Sequence, residues 1–372
     1  MSFKIVLIGC GRIGVLLEDD PLRSKPATHI GGIQFLLKNH NTPKNLILSA
    51  VCDIDSNRLS QCMKKYQIEK GYSHYKEIIL AEKPDIVIIA TWTSSHKDIA
   101  VFAAENGVKG IVLEKPIAVS IRQAHEIIHT CNLHNVKLVI NHERRWDCLY
   151  RKTAEIISSK TLGELKTIYA NVLSRSAPRG DWKNVLNEAG GGPLLHDGTH
   201  LVDMIRYFAG DIASVSGHVT REDPSFGTET TATAFMQTQS QVNIFLEAGG
   251  MRDYFNFEID LHFERGRIRV GNGISDYFTT QNSGRYTGFY ELIKTPFPSF
   301  IRNMNPFTGA LLEVIDAIEK DTQPFSSGID GLRAIEIIFA VYYSASLGGK
   351  KISLPLKTIG HPLKRMFKKG MI

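Results

Sequence analysis

The sequence predicts an α/β chain in two parts, a doubly wound parallel sheet over residues 1–141 and an α+β domain with mostly antiparallel strands over residues 142–372. Three observations carry this division. Short β-branched runs alternate with helical periods up to about Asn141, strand follows strand from about Leu165, and a glycine-rich turn closes the first strand.

In the first part the strands are FKIVLIG, LILSAVCD, DIVIIAT, GIVLEKP and KLVINHE. Continuous apolar strands separated by helices mean a parallel sheet covered on both faces. The helical segments include SNRLSQCMKKY and SIRQAHEIIHTCNLH. Ser120 is placed to cap the latter, whose period buries Ile121, Ala124, Ile127, Ile128 and Cys131. In the second part LKTIYANVLS, ASVSGHVTR, TTATAFMQT, QVNIFLEA and FNFEIDLHF read as strands. The last alternates strictly, with Phe255, Phe257, Ile259, Leu261 and Phe263 on one face and Asn256, Glu258, Asp260 and His262 on the other. That is the pattern of a half-buried antiparallel strand. Helical patterns return at Thr308–Lys320 and Ile329–Leu347.

A chain of 372 residues has room for two cores. Its 43% hydrophobic and 22% charged residues are those of an ordinary soluble globular protein, which excludes a disordered or fibrous class. The net charge of +6 suits a partner bearing phosphates or a carboxylate, but no Lys/Arg block is dense enough for a nucleic-acid surface. No run of about eighteen apolar residues occurs, so no membrane span is expected. A strand begins too early in MSFKIVLIGCGRIG for a signal peptide. Five cysteines (Cys10, Cys52, Cys62, Cys131, Cys148) form no CxxC pair and read as reduced core thiols of a cytoplasmic protein. The basic tail HPLKRMFKKGMI reads as loosely ordered and solvated.

The first strand runs into Gly9-Cys10-Gly11-Arg12-Ile13-Gly14. Between a strand and a helix, this GxGxxG pattern has a mechanism. The first glycine permits the turn, the second lets a pyrophosphate approach the backbone, and the third lets the helix pack on the strand. The phosphates would then sit at the helix N-terminus, as in a Rossmann dinucleotide domain. Asp53, ending the second strand, is placed to accept hydrogen bonds from ribose hydroxyls and to favour NAD(H) over NADP(H). It stands 44 positions after Gly9, where the usual interval is about 20. The excess falls in LEDDPLRSKPATH, Leu17 to His29, which is either a lid carrying Arg23, Lys25, Thr28 and His29 or a longer surface loop.

Beyond this turn the chain carries ATWTSSHKDIA, LEKPIAVSIRQA, NHERRW and GGGPLLHDGTHLVD, in that order. The ordered set resembles the glucose–fructose oxidoreductase and inositol dehydrogenase family, often written Gfo/Idh/MocA, essentially end to end. The EKP tripeptide is its most specific mark. The resemblance implies an NAD(P)-dependent dehydrogenase or reductase of sugars, cyclitols or nucleotide sugars. It also implies a C-terminal domain whose large open sheet commonly builds homodimers or homotetramers. Position by position, Glu114-Lys115-Pro116 matches EKP, and the family places its lysine near the nicotinamide and the reacting oxygen. A strand-end ammonium in a partly desolvated cleft can stabilise a developing alkoxide. Pro116 matches a proline whose peptide bond is often cis in the family. Thr91 and His96 match a loop bordering the cofactor, and Arg144, Arg145 and Trp146 match a segment on the substrate or nicotinamide side.

The stretch GGGPLLHDGTHLVD puts His196, His200 and Asp203 at i, i+4 and i+7 behind three glycines read as flexible. By residue type alone it could be a metal clip, a proton-transfer site or the polar start of a buried helix. The resemblance implies that His200 is the acid/base, a task suited to a side chain whose unperturbed pKa is about 6.5. The family normally has Asp where this chain has His196, with the carboxylate displaced to Asp197. About 100° of helical rotation separates neighbours, so Asp197 is not a simple replacement, and no metal is expected. His196 and Asp197 are candidate substrate contacts, as are Arg175, Arg179, Asp181 and Trp182 in RSAPRGDW. Two other readings stay open on the same fold: an NAD-dependent glycosidase acting through transient oxidation, and a catalytically silent sugar or dinucleotide sensor.

Overall fold

The computed structural model describes residues 2–38, 45–175, 181–301, 305–357 and 360–372. The chain forms two compact units, Met1–Trp146 with Met304–Leu332, and Asp147–Asn303 with Arg333–Ile372. The expected division at Asn141 therefore falls inside the first unit, to which the chain returns after Met304.

The first unit contains strands β1 (Ser2–Ile8), β2 (Asn45–Cys52), β3 (Gly71–Tyr72), β4 (Ile86–Ile89), β5 (Gly110–Leu113) and β6 (Lys137–Ile140). All pair in parallel in the order β3-β2-β1-β4-β5-β6. Helices α1 (His29–Lys38), α2 (Ser56–Tyr66), α3 (Tyr75–Glu82), α4 (His96–Glu105) and α5 (Ile121–Leu133) connect them. The strand order reverses between β1 and β4, and ligands of such sheets bind beyond the carboxyl ends at that reversal. Helix α5 forms as its period dictates: Ser120 Oγ accepts from Gln123 N at 3.3 Å, and the five predicted apolar residues are buried.

The helix expected directly after Gly14 is displaced. Residues 15–28 leave as an excursion containing a short 3-10 turn, Leu16–Asp19, and α1 opens only at His29. The two ends of the excursion are stitched together: His29 N donates to Ile13 O at 3.1 Å and Ile30 N to Gly14 O at 3.0 Å. Inside it, Glu18 Oε2 accepts from Ala27 N at 2.9 Å and Thr28 Oγ1 at 2.7 Å, which closes the loop upon itself. The start of α1 thus stays beside the glycine turn although fourteen residues intervene.

The second unit opens with α6 (Cys148–Ser158) and strand β7 (Leu165–Ser174), followed by α7 (Leu186–Ala189), α8 (Pro193–His196) and α9 (Gly198–Ala209). Strands β8 (Ile212–Thr220), β9 (Thr231–Thr238), β10 (Asn243–Gly250), β11 (Asn256–Phe263), β12 (Gly266–Gly271), β13 (Ile274–Asn282), β14 (Tyr290–Thr295) and β15 (Ile352–Ser353) complete a nine-stranded sheet. Its order is β14-β13-β12-β11-β7-β10-β9-β8-β15, antiparallel except for β7 against β10. In β11 the predicted inner face holds at Phe257, Ile259 and Leu261, which are buried. Phe255, just before the paired strand, is 56% exposed. On the other face Asp260 pairs with Arg267 and Glu258 with Arg269, so the charges cover one another.

Three helices remain: α10 (Pro306–Lys320), α11 (Gly328–Ser346) and α12 (Pro362–Lys368). Helix α10 belongs to the first unit, where Ala310, Leu311, Val314 and Ile315 join Ile5, Leu7, Val112 and Val139 in one core. The tail expected to be solvated instead forms α12: Leu363 and Met366, at i and i+3, are buried, and Arg221 lies over the Phe367 ring at 4.7 Å.

The contact of α10 with Trp146 leaves no room for a side chain at Gly309, where a Cβ would come within 2.5 Å of the indole. Gly309→Ala should lower stability by about 1–3 kcal/mol through overpacking. Thermal unfolding followed by tryptophan fluorescence would register the drop.

Candidate active site

Each of the three glycines after β1 has a separate structural reason. Gly9 adopts φ +104°, and a Cβ there would meet Ala90 O of the β4 end at 2.4 Å. A Cβ on Gly14 would meet Gly9 O at 2.0 Å. At Gly11 a Cβ would meet nothing within 4 Å, so the middle of the turn faces open space of the kind a pyrophosphate needs. Arg12 is exposed, while Ile13 packs against the core. The Cys10 thiol is fully buried and contributes nothing outward; its neighbour Cys62, then burial, push it far up and keep it protonated. Burial likewise pushes Cys52 and Cys131 up to about 12. All five cysteines are free thiols.

Asp53 follows β2, where its carboxylate accepts from Cys10 N at 2.7 Å and from Asp55 N at 2.8 Å. It thereby ties the glycine turn to the neighbouring strand. Arg58 on α2 lies 3.4 Å from the same carboxylate, a cation that the sequence reading did not connect with it. The open Gly11 and the strand-end Asp53 fit an adenosine dinucleotide.

At the end of β5, Glu114 is buried and its Oε1 accepts from Asn141 Nδ2 at 2.6 Å and lies 2.8 Å from His29 Nε2. Burial alone would raise this carboxyl; the His29 hydrogen bond, with the charges of His29 and Lys115 and the Asn141 amide, outweighs it and holds Glu114 below the usual carboxylate range. Lys115 follows, joined to Pro116 by a cis peptide bond. His96 braces the turn from α4, with Nδ1 3.0 Å from Pro116 O and Nε2 3.3 Å from Thr91 O. Burial pushes His96 down, against the pull of the Thr91 and Pro116 carbonyls and the Glu114 charge. Thr91 in turn accepts from Ser95 Oγ at 2.8 Å. Glu143 carries the opposite shift from Glu114: burial raises it, Glu114 adds to the rise, and Arg144, Lys115 and Arg23 oppose it.

Two predicted contacts in NHERRW turn out to be internal. Trp146 is 1% exposed because α10 lies against its ring. Arg145 is buried and donates to Phe325 O at 2.6 Å and Asp330 Oδ1 at 3.0 Å, fastening the returning chain. Arg144, half-buried beside Glu143, is the arginine of the pair whose charge acts on Glu143, as that of Lys115 does. In the sequence His29 reads only as part of the excursion, Asn141 and Glu143 lie in NHERRW without a role assigned to them, and Arg58 falls in no motif; a polar residue directly after a buried strand, as at Asn141, was the available signal.

In the second unit, Asp197 both closes α8 and opens α9, with an αR backbone (φ −92°, ψ −34°) that carries the turn forward. The two histidines therefore keep roughly their helical relation. His196 is buried and meets Trp182 edge-on, ring centroids 5.2 Å apart, so the predicted Trp182 and His196 do come together. His200 and Asp197 are half-buried on the first turn of α9, and Asp203 is fully buried. Arg175 pairs with Asp253, and Arg179 lies outside the described residues. Among the described residues no three His, Cys, Asp or Glu side chains gather as metal ligands. No helix among them is long and apolar enough to cross a membrane.

Beneath this segment is Glu229, unmarked in the sequence. It is fully buried and accepts from Gly192 N and Tyr342 Oη, each at 2.7 Å. Burial pushes its carboxyl up to about 7, against the pull of the Tyr342 hydroxyl and the Gly192 and Leu194 amides.

A doubly wound sheet, an open glycine turn and an acidic residue following β2 define a dinucleotide-binding domain, and the comparisons give its class. Residues 3–142 match the oxidoreductase family with an NAD-binding Rossmann fold, and residues 150–269 match the GFO/IDH/MocA C-terminal domain. The chain belongs to the Gfo/Idh/MocA family and is an NAD-dependent oxidoreductase. It is 23% identical to a D-apiose dehydrogenase of Rhizobium rhizogenes, covering 81% of this chain and 88% of that one. It is also 23% identical to a myo-inositol 2-dehydrogenase of Thermotoga maritima, covering 91% and 94%. Among solved structures, levoglucosan dehydrogenase in complex with NADH superposes with a TM-score of 0.79 at 16% identity, covering 95% of this chain and 100% of that one. The WlbA dehydrogenase of Bordetella pertussis, in complex with NADH and UDP-GlcNAcA, gives 0.76 at 20% identity, covering 96% and 100%.

The depressed Glu114 carboxyl has a sign that can be measured. A group held low in the folded state adds stability that is present above its ordinary value of 4.5 and is lost as pH falls through the folded value. Urea unfolding of the wild type should therefore lose more free energy between about pH 5 and about pH 3 than Glu114→Gln does. Parallel pH profiles for the two would show that the pinned carboxylate contributes nothing.

Proposed function

We propose that this enzyme transfers a hydride between NAD(H) and a secondary alcohol or ketone of a sugar, cyclitol or nucleotide sugar. The observation that carries the reading is the Glu114-Lys115-Pro116 turn, with an ammonium next to a pinned carboxylate in the unit that bears the glycine turn. Similarity to dehydrogenases named for D-apiose and myo-inositol supports a polyhydroxylated substrate.

Bound NAD supplies the hydride acceptor, and the rest of the work falls to the chain's own groups. Asp53 receives the adenosine ribose hydroxyls, and the backbone at Gly11, Arg12 and Ile13 receives the pyrophosphate, while Cys10 N stays with Asp53. Thr91, His96 and Glu114 shape the strand ends that border the nicotinamide. Lys115 donates to the reacting oxygen and stabilises the alkoxide that develops there. His200 takes the hydroxyl proton as the carbon loses its hydride, so proton and hydride leave the same carbinol for different acceptors. His196, Trp182, Asp197 and Arg144 contact substrate hydroxyls or an acidic substituent; Arg179 belongs to the same segment. The outer face of the nine-stranded sheet exposes Phe235 and a stacked Tyr169–Phe245 pair, rings 5.0 Å apart, which suits a homodimer or homotetramer.

Steady-state assays with NAD+ across aldoses, inositols and nucleotide sugars test the reading. Lys115→Ala should lower kcat by about 10²–10³, and His200→Ala by about 10²–10⁴, with NADH still bound in both. Asp53→Ala should weaken NADH binding roughly 10- to 100-fold. Turnover of a glycoside without net NADH production would replace dehydrogenation by the glycosidase reading. Sedimentation of the wild type against Tyr169→Glu/Phe245→Glu should show an oligomer that the double variant loses; a wild-type monomer would refute the assembly.

A further inference from the structure

The glycines at 190–192 look like a hinge in the sequence, yet two of them are packed against other groups. A Cβ on Gly192 would come within 2.2 Å of Glu229 O and 3.0 Å of the Glu229 carboxyl. One on Gly191 would come within 2.6 Å of the Tyr342 hydroxyl. These glycines let the backbone close upon a buried carboxylate. Glu229 Oε2 accepts from Gly192 N at 2.7 Å, and Oε1 accepts from Leu194 N at 3.3 Å and Tyr342 Oη at 2.7 Å. The same short run holds the facing turn: Gly227 N donates to Asn184 Oδ1 at 2.7 Å, two residues after Trp182.

We propose that Glu229, backed by Tyr342, is a positioning residue whose carboxylate fixes the start of α8 and thereby sets where His196 and His200 stand. The proposal rests on the proton-transfer role given to His200 above. Helix α8 is a single turn whose N-cap, Gly192, has no side chain to offer its first amides. Glu229 supplies the acceptor instead, to the amides of Gly192 and Leu194. From Gly192 the chain passes through Pro193, with its restricted φ, to His196, the αR residue Asp197, and His200 on α9. Eight residues of almost wholly helical backbone leave little slack between clamp and histidine. A buried carboxylate costs free energy, as its upward shift records, and an apolar group at the same place would pack with less penalty. What the carboxylate adds is direction: two backbone amides and one hydroxyl converge on two oxygens, and the segment they hold is the one that carries the histidines.

The test uses the full chain with Glu229→Gln and Tyr342→Phe, neither of which changes shape appreciably. Three experiments are run: NADH binding, steady-state kinetics giving kcat and KM for the sugar that is turned over, and the ring resonances of His196 and His200 in histidine-labelled protein. The expected result is NADH affinity within about twofold of wild type, set by the other unit, and a kcat reduced roughly 10- to 100-fold. The His196 and His200 resonances should move while those of His74 and His134 stay, with Tyr342→Phe following in the same direction by less. Unmoved histidine resonances and an unchanged kcat in a folded Glu229→Gln protein would overturn the proposal. If Glu229→Gln does not fold, Tyr342→Phe, which deletes one hydroxyl, decides by the same readouts. Should the wild type oxidise no polyol, the hydride-transfer reading falls, while the histidine resonances still judge the clamp.

Discussion

The Glu114 carboxylate, held out of water at the end of β5, is the constraint on which the chemistry of the first unit depends. An unpaired charge in such a place costs several kcal/mol, so the fold has to bring donors to it. They arrive from two distant parts of the sequence: His29, where the excursion ends, and Asn141, which directly follows β6. Both reach the same oxygen, so the carboxylate has one orientation, and Lys115, the next residue, inherits it. His96, on α4, then holds Pro116 through its carbonyl. The excursion, the last parallel strand and the loop after β4 are thus fastened to one tripeptide.

The second unit uses a related device with different partners. Glu114 is held low by its hydrogen bonds to His29 and Asn141 and by the nearby Lys115 charge, whereas the donors to Glu229 are neutral amides and a phenol, and burial wins. In both places an acidic side chain underlies the backbone that carries a candidate reacting residue, Lys115 in one and His200 in the other. In both the outward residue is half-exposed while the group fixing it is fully withdrawn. On the proposed mechanism, precision at the reacting groups comes from polar contacts one layer beneath them.

What was legible in the sequence follows from how local each signal is. Apolar runs of four to eight residues and 3.6-residue periods located β1, β2, β4, β5, β6, α2 and α5, because burial on one or both faces writes itself into neighbouring positions. The glycine turn was readable because it needs particular residue types at fixed spacing, whereas the EKP tripeptide was readable through the resemblance to the family. Strand β3 has two residues and no period to read. Strand order in the second sheet, with β7 parallel to β10, is a long-range choice that no local pattern encodes. Trp146 and Arg145 sit in a quoted motif and yet face α10 and the returning chain, since a motif fixes neighbours in sequence but not what packs over them. Glu229 was invisible for a similar reason: its partners lie 37 and 113 positions away.

Helix α10 has a consequence for biosynthesis. The face of β5, β6 and α1 that it covers is made of residues translated long before it: Gly110, against which Val314 packs, precedes it by about two hundred positions. During synthesis at about 5–20 residues per second the nascent dinucleotide domain therefore waits some ten to forty seconds with that apolar surface uncovered. The nine-stranded sheet is nearly all translated before the first unit can close. Chaperone demand should be greatest in that interval, and the nascent chain cannot bury the completed core of its NAD-binding unit until α10 has left the ribosome.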